Sequence, residues 1–193
     1  MVPDAQAWRE WLTRNHADPA GVMLVLAKKG TTSPTSLTYD QALEEAICFG
    51  WIDGQIRRRD ERTYFQRFTP RRARSRWSKR NTRLAERLAG EGRMQAPGIA
   101  EVERAKADGR WAAAYPGPAT ARVPRDLAAA LAAEPKAKTM FSRLTSQNRY
   151  AILHRIEAVK RPESRARKIE QFVAMLARGE TVHPQGRTKG EPS

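Results

Sequence analysis

The sequence predicts an α+β fold in which a small antiparallel sheet of about three strands, covered by helices, is followed by a helical C-terminal portion. Two observations predict it. Short apolar or aromatic runs of strand length occur before residue 75, beside segments with helical spacing. After residue 75 strand signals vanish, and helical segments alternate with Pro and Gly breaks. A chain of 193 residues is long enough to bury a real core in this arrangement.

The first elements are a helix and a strand. Trp8, Trp11 and Leu12 recur at i, i+3, i+4 spacing, which predicts a short amphipathic helix over residues 4–15. Residues 22–27 form an apolar run of strand length bounded by glycines. We interpret this run as a buried strand.

A second helix and a hairpin follow. Thr38 and Gln41 have the spacing of a capping box and predict a helix that Gly50 ends. Residues 51–56 and 63–68 are rich in aromatic and β-branched side chains, and a charged turn lies between them. They predict a β-hairpin, and a glycine at position 54 permits a bulge in its first strand.

The remainder is predicted to be helical. The expected helices are residues 79–89, 99–107, 125–133, 137–144, 146–159 and 164–178. Residues 1–115 are then an α+β portion, residues 119–180 a helical portion and residues 181–193 a disordered tail. The alternative is a single domain, since the Pro-Gly linker is short.

Composition limits the classes of protein. Hydrophobic residues make up 40% and charged residues 30% of the chain, as in globular proteins. No apolar run reaches the roughly 20 residues of a membrane helix, and the N-terminus lacks a secretory signal, so we expect a cytoplasmic location. The single cysteine, Cys48, excludes an internal disulfide framework and a cysteine-rich zinc site.

The net charge of +15 is unevenly distributed. Residues 1–50 carry 4 basic and 6 acidic side chains, whereas residues 51–93 carry 14 basic and 5 acidic side chains. Such a field favours polyanions, either nucleic acid or a phosphorylated ligand. The alternative interpretation is a solvated basic surface that keeps the protein soluble.

The sequence contains none of the common motifs for catalysis or metal binding. His16, His154 and His183 lie far apart in sequence, and no H-E-x-x-H pair, Walker loop, G-x-G-x-x-G fingerprint or G-x-S-x-G elbow occurs. We therefore assign no catalytic residue, no metal site and no cofactor. The sequence favours a protein that is not an enzyme.

The strongest candidate site is a basic segment that interleaves arginines with a tryptophan and small hydroxyls. Planar donors, small donors and a stacking face together suit the binding of an anion. If Ser78 caps a helix that begins at Lys79, backbone N–H groups add to the same site. The alternative is a helix cap beside a solvated arginine face. The candidate residues are Arg71, Arg74, Ser75, Trp77, Ser78 and Asn81.

Two residues before this segment complete the candidate ligand site. Asp53 stands where the chain enters the sheet, and it is either an acid facing a cleft, paired with Arg71 or Arg74, or a turn or cap acceptor. The second interpretation is favoured. Trp51 is either a ligand platform or, more commonly for such a residue, part of the core.

Four motifs occur in a recognisable order, with Met94 and Gly98 before the last. They are residues 48–54 (CFGWIDG), 68–72 (FTPRR), 75–81 (SRWSKRN) and 108–111 (DGRW). In this order the chain resembles the YdeI/OmpD-associated family, also called bacteriocin-protection proteins, over about residues 5–180. The resemblance implies a bacterial protein linked to envelope stress or bacteriocin resistance, without an established active site, cofactor or substrate. The order of elements in residues 38–93 is also similar to YjbR-like small α+β domains.

Three functions follow from these observations. The leading hypothesis is a non-enzymatic cytoplasmic module that binds an anionic partner through residues 67–81. The second is a small enzyme with an acid-base cleft built from Asp53 and nearby arginines. The third is a helical scaffold that binds another protein through Trp111 and the faces of residues 124–178. The sequence leaves open the identity of the ligand, the oligomeric state and whether protection from bacteriocins is direct.

Overall fold

The computed structural model describes residues 1–117 and 121–185, and the chain divides into unit 1, residues 1–115, and unit 2, residues 116–193. Within the described residues there are eight helices and a three-stranded antiparallel sheet. This confirms the predicted α+β class with a helical C-terminal part.

Unit 1 holds the sheet and four helices. In chain order they are α1 (Ala5–Asn15), β1 (Val22–Ala27), α2 (Tyr39–Cys48), β2 (Trp51–Arg58), β3 (Thr63–Pro70), α3 (Lys79–Gly90) and α4 (Ala96–Ala107). The capping box that begins α2 is present as predicted, with the Thr38 side chain accepting from Gln41 N–H.

The sheet has the strand order β1-β3-β2, so β3 is central. Leu24, Leu26 and Phe68 point toward the helices and join Trp8 and Trp51 in one buried core. Because successive side chains of a strand alternate between the two faces, the residues between these positions lie on the other face. We call this second face the open face of the sheet.

A β-bulge interrupts the pairing of β2 with β3. Asp53 pairs with Phe68, but Ile56 pairs with Gln66, so β2 carries one extra residue between Asp53 and Ile56. The bulge lies at Gly54, as the sequence predicts. Since one extra residue exchanges the two faces, every later side chain of β2 is turned over.

Two glycines let α2 and α4 approach closely. Gly50 ends the α2 region with a φ of +76°, a conformation that costs glycine little. Gly98 faces the end of α2, where a Cβ atom would lie 2.1 Å from the Cys48 carbonyl oxygen. The same carbonyl accepts a hydrogen bond from Gln95 N–H at 2.9 Å.

Unit 2 contains α5 (Arg125–Ala133), α6 (Pro135–Ser142), α7 (Ser146–Glu157) and α8 (Pro162–Ala177). The Ile152 and Ile156 stripe and the Ile169, Phe172 and Leu176 stripe are buried together, as predicted for packing faces. These helices enclose their own core, separate from that of unit 1.

The segment after α8 is attached to α7. Buried Asn148 donates to the His183 carbonyl oxygen at 3.0 Å and accepts from His183 N–H at 2.8 Å. Asn148 also donates to the Gln185 side chain at 2.8 Å. The remaining part of the predicted tail, residues 186–193, lies outside the described residues.

Three helices begin earlier than the sequence predicted. Pro97, Pro135 and Pro162 lie in the first turns of α4, α6 and α8, where the missing N–H of proline costs nothing. The sequence pattern marks Pro97 and Pro162 as breaks between helices, whereas the structure places both in the first turn of a helix. Of the helices in the described part of the chain, none is long and apolar enough to cross a membrane.

The close approach of α4 to α2 gives a first prediction. Replacing Gly98→Ala forces a methyl group into the Cys48 carbonyl, so we expect unit 1 to lose about 1–3 kcal/mol of stability. Urea unfolding followed by tryptophan fluorescence measures this, because all five tryptophans lie in unit 1. Gly90→Ala is the control, since its Cβ meets nothing within 4 Å. Equal midpoints for the two variants would contradict the packing described here.

Candidate functional site

A basic pocket opens on unit 1, where the open face of the sheet meets the segment that follows β3. Its volume is about 740 Å³. Four arginines line it, and none of the described residues in the lining is acidic. The lining residues are Pro19, Met23, Gly54, Gln55, Arg57, Arg67, Thr69, Pro70, Arg71, Arg72 and Ser75. We call this cavity the arginine pocket.

Arg71 is the one buried arginine of the pocket, with 6% of the residue exposed. Its guanidinium carbon lies 3.6 Å from the ring centroid of Trp77, which is itself fully buried in the core. Arg71 Nη1 donates to the Arg76 carbonyl oxygen at 3.2 Å. Arg71 Nε and Nη2 are buried and have no hydrogen-bond partner among residues 1–117 and 121–185.

The surroundings of Arg71 disfavour its charge. Burial lowers the pKa of Arg71 to about 10, while the nearby Asp53 carboxylate and Tyr115 oppose this and Arg110 adds to it. Within the described chain, Arg71 forms no ion pair with a carboxylate at 4.0 Å or less. At neutral pH the guanidinium therefore remains protonated, and a buried cation stands without a direct counter-charge.

The β-bulge and the strand register bring two further arginines to the pocket. Arg67 on β3 pairs with Met23 on β1, and both side chains lie on the open face. Arg57 on β2 pairs with Phe65 and reaches the same face only because the bulge turned β2 over. Arg67 Nη2 also donates to the Ala20 carbonyl oxygen at 2.7 Å.

A tight turn places Arg72 and Ser75 at the pocket. Arg72 N–H donates to Ser75 Oγ at 2.9 Å, and Ser75 N–H donates to the Arg72 carbonyl oxygen at 2.9 Å. Ser75 Oγ accepts in this turn, so its hydroxyl hydrogen can still be donated to a ligand. The Arg72 side chain is exposed at the rim.

Of the candidate residues from the sequence, the structure brings Arg71 and Ser75 into the pocket lining, with Trp77 stacked beneath Arg71. Arg74 is exposed and lies outside the lining. Trp51 is fully buried against Trp8, and its indole N–H donates to the His16 carbonyl oxygen at 2.8 Å. It belongs to the core.

Asp53 lies on the helix side of the sheet, paired with Phe68, and is not part of the pocket lining. Its carboxylate accepts a hydrogen bond from the Tyr39 hydroxyl at 3.0 Å. Burial and the Asp53 charge raise the pKa of Tyr39, so this hydroxyl keeps its proton. Asp53 is thus near enough to influence Arg71 electrostatically, although the two form no ion pair.

Ser78 is the N-cap of α3, as the sequence predicted, and its hydroxyl accepts from Asn81 N–H at 3.1 Å. Lys79 N–H donates to the Tyr115 carbonyl oxygen, so this N–H is already paired. Neither Ser78 nor the buried Asn81 lines the pocket. These two residues hold the helix start, and the expected contribution of the helix N-terminus to the pocket is absent from the described geometry.

Sequence reasoning did not assign Arg57, Arg67 and Arg72 to the site. Alternation along β3 could have identified Arg67 and Thr69, because both flank the inward Phe68. Arg57 could not be assigned from the sequence, because the face on which it lies depends on the number of residues in the bulge. In the described part of the chain no group of three or more His, Cys, Asp or Glu side chains is placed to hold a metal ion.

Two family models match this chain. Residues 1–101 match a domain of unknown function, DUF8412, which covers more than half of the sequence. The chain belongs to the DUF8412 family. Every residue of the arginine pocket lies inside this DUF8412 match.

Residues 120–179 match the family described as "Bacteriocin-protection, YdeI or OmpD-Associated". This match supports the resemblance seen in the sequence, although the four motifs that suggested it lie before residue 120. No curated protein and no solved structure gives a significant match.

The buried charge of Arg71 gives a second prediction. Replacing Arg71→Met keeps an unbranched side chain against Trp77 and removes the uncompensated cation. We therefore expect the stability of unit 1 to stay equal or to rise by up to about 2 kcal/mol. Urea unfolding followed by tryptophan fluorescence measures it, with the exposed Arg72→Met as a control expected to change by less than about 0.5 kcal/mol. A loss above 2 kcal/mol in the Arg71 variant alone would show that the unliganded protein already compensates this charge.

Proposed function

We propose that this protein is a non-enzymatic module whose arginine pocket binds a phosphate-bearing anion. The observation that supports the proposal is Arg71, a buried guanidinium with two unpaired nitrogens, Nε and Nη2, that belongs to the lining of a pocket with three further arginines. Buried polar groups are almost always hydrogen-bonded, and each one left unpaired costs about 1–3 kcal/mol. An anion that accepts from Arg71 would remove this cost and neutralise the charge together.

The chemistry of the lining favours phosphate. The planar guanidinium group offers paired N–H donors that match two oxygens of a phosphate or a carboxylate. Arg57, Arg67 and Arg72 add positive charge around Arg71, and Ser75 adds a hydroxyl donor. Four cations in one cavity suit a multiply charged ligand better than a single carboxylate.

The size of the pocket also supports a ligand larger than an isolated ion. Its volume of about 740 Å³ lies in the usual range of small-molecule sites. Met23, Pro19 and Pro70 give it an apolar wall beside the arginines. A phosphorylated organic ligand or a phosphodiester uses both kinds of surface.

A binding role is favoured over acid-base catalysis by the same lining. Among the described residues, its lining holds no His, Asp, Glu, Cys or Lys, the side chains that most often act as general acids and bases. Efficient general acids and bases have pKa values near the working pH. The acid of the alternative hypothesis, Asp53, contacts Tyr39 on the helix side of the sheet.

The family that matches residues 120–179 is described by bacteriocin protection and by association with OmpD. We include in the proposal that the protein acts in the cytoplasm in a response linked to envelope stress or bacteriocin resistance. The arginine pocket, which lies in the DUF8412 part of the chain, would then bind the ligand in that response.

Pyrophosphate binding tests the proposed function. We expect sodium pyrophosphate, at constant ionic strength with sodium chloride, to raise the thermal unfolding midpoint of unit 1 further with each tenfold increase in its concentration above the dissociation constant. A ligand-induced stabilisation of the folded state by 1 kcal/mol corresponds to a rise of about 4–8 °C for a domain near 100 residues. Tryptophan fluorescence reports this midpoint, because all tryptophans belong to unit 1.

Two variants of equal charge make this test specific. Arg71→Met is expected to abolish the rise, whereas Arg83→Met, an exposed position on α3 outside the pocket, is expected to keep it. An equal rise in both variants, or none in the wild-type protein, would refute the proposed site.

A further inference from the structure

The open face of the sheet combines an aromatic ring with arginines. Across the three strands, buried Val25, partly buried Phe65 and exposed Arg57 form one row, since Phe65 pairs with both of the others. The next row holds Met23 and Arg67. Arg57, Met23 and Arg67 all line the arginine pocket, so the row that contains Phe65 borders it directly.

Phe65 stands in the middle of this face. It lies on the central strand, it is only partly buried, and it is not among the described residues of the helix-side core. The Arg59 guanidinium lies over the face of the ring, 5.6 Å from its centroid, so a base that stacks on this face would take the place of the Arg59 side chain. A ring at such a position can stack on a planar ligand.

A second basic pocket lies at the opposite end of the sheet. It has a volume of about 440 Å³ and is lined by Lys28, Lys29 and Arg62, with Glu61 and residues 30–33. Arg62 precedes β3, whereas Arg71 follows it. The eight residues of β3 span about 27 Å at about 3.4 Å per residue.

We propose that the open face binds single-stranded nucleic acid, with a base stacked on Phe65 and backbone phosphates at the arginine pocket. This inference rests on the proposed function and names its ligand class. Proteins that bind single strands without sequence preference pair a basic track with aromatic side chains on which bases stack. The open face has both, since the row that contains Phe65 borders the arginine pocket.

The arrangement favours a single strand over a duplex. The bases of a duplex are stacked on one another, so their faces are not accessible to Phe65. A small phosphorylated metabolite is held by the arginine pocket alone and makes no use of Phe65. A single strand uses the ring and the arginine pocket together.

The test is fluorescence anisotropy with a labelled oligothymidylate of about 12 nucleotides at an ionic strength of about 0.15 M. We expect saturable binding, and weaker binding to a blunt duplex of the same length. Phe65→Ala and Phe65→Leu should each weaken oligothymidylate binding about fivefold or more, whereas Phe65→Trp should retain it. Phe65→Leu keeps apolar bulk without a π face, so it remains informative if the alanine variant is unstable. Arg83→Met is the control for the loss of one distant charge.

Pyrophosphate binding by the same variants separates this inference from the proposed function. Phe65→Leu should bind pyrophosphate like the wild-type protein, because Phe65 is outside the pocket lining. The inference is overturned if oligothymidylate binds Phe65→Leu as tightly as the wild-type protein, or if the duplex binds equally well, while pyrophosphate binding persists. Failure of the proposed function would instead appear as no pyrophosphate binding by the wild-type protein.

Discussion

The stacking of Arg71 on Trp77 is the interaction on which the architecture of the site depends. Trp77 is buried in the core of unit 1 and holds the Arg71 side chain. The backbone N–H of Arg71 donates to the Gly50 carbonyl oxygen at 3.0 Å, so the backbone of this arginine is held as well. The segment between β3 and α3 therefore has little freedom, and a guanidinium group stays at the pocket. A cation–π contact with a desolvated ring contributes about 2 kcal/mol, which offsets part of the cost of burying the charge. The contact leaves the N–H groups of Nε and Nη2 without acceptors, and these are the donors that the proposed anion would use.

The second constraint is the bulge in β2. Without the extra residue, Ile56 would lie on the open face and Arg57 on the helix side, and the pocket would lose one of its four arginines. With it, Ile56 is on the helix side yet 65% exposed, an apolar exposure that packing alone does not explain. The bulge therefore leaves Ile56 exposed and places the charge of Arg57 at the pocket. The bulge, Arg71 and the Arg72–Ser75 turn all lie within the DUF8412 match, so the site belongs to that part of the chain.

Much of the fold could be predicted from the sequence, because its signals are local. The Thr38 capping box, the strand at Val22–Ala27 and the left-handed Gly50 follow from a few neighbouring residues. The predicted starts of α4, α6 and α8 were too late, because a proline is compatible both with a break between helices and with the first turn of a helix. The site was predicted only in part. Arg71 and Ser75 lie in a recognisable basic segment, but Arg57 and Arg67 come to it through strand register, which depends on pairing between distant parts of the chain. For Asp53 the sequence favoured a turn or cap acceptor over an acid paired with Arg71 or Arg74 in a cleft, and its carboxylate accepts a hydrogen bond from Tyr39 on the helix side of the sheet.

The most direct test of the central claim is to observe the Nε–Hε group of Arg71 by nuclear magnetic resonance while inorganic pyrophosphate is added. This N–H is buried and unpaired, so its signal should be protected from rapid exchange and distinct from those of exposed arginines. We expect a saturable shift of the Arg71 signal, assigned with Arg71→Met, and only a small change without saturation at exposed Arg83. An Arg71 signal that does not move while pyrophosphate shifts exposed arginines would contradict an anion site at this residue.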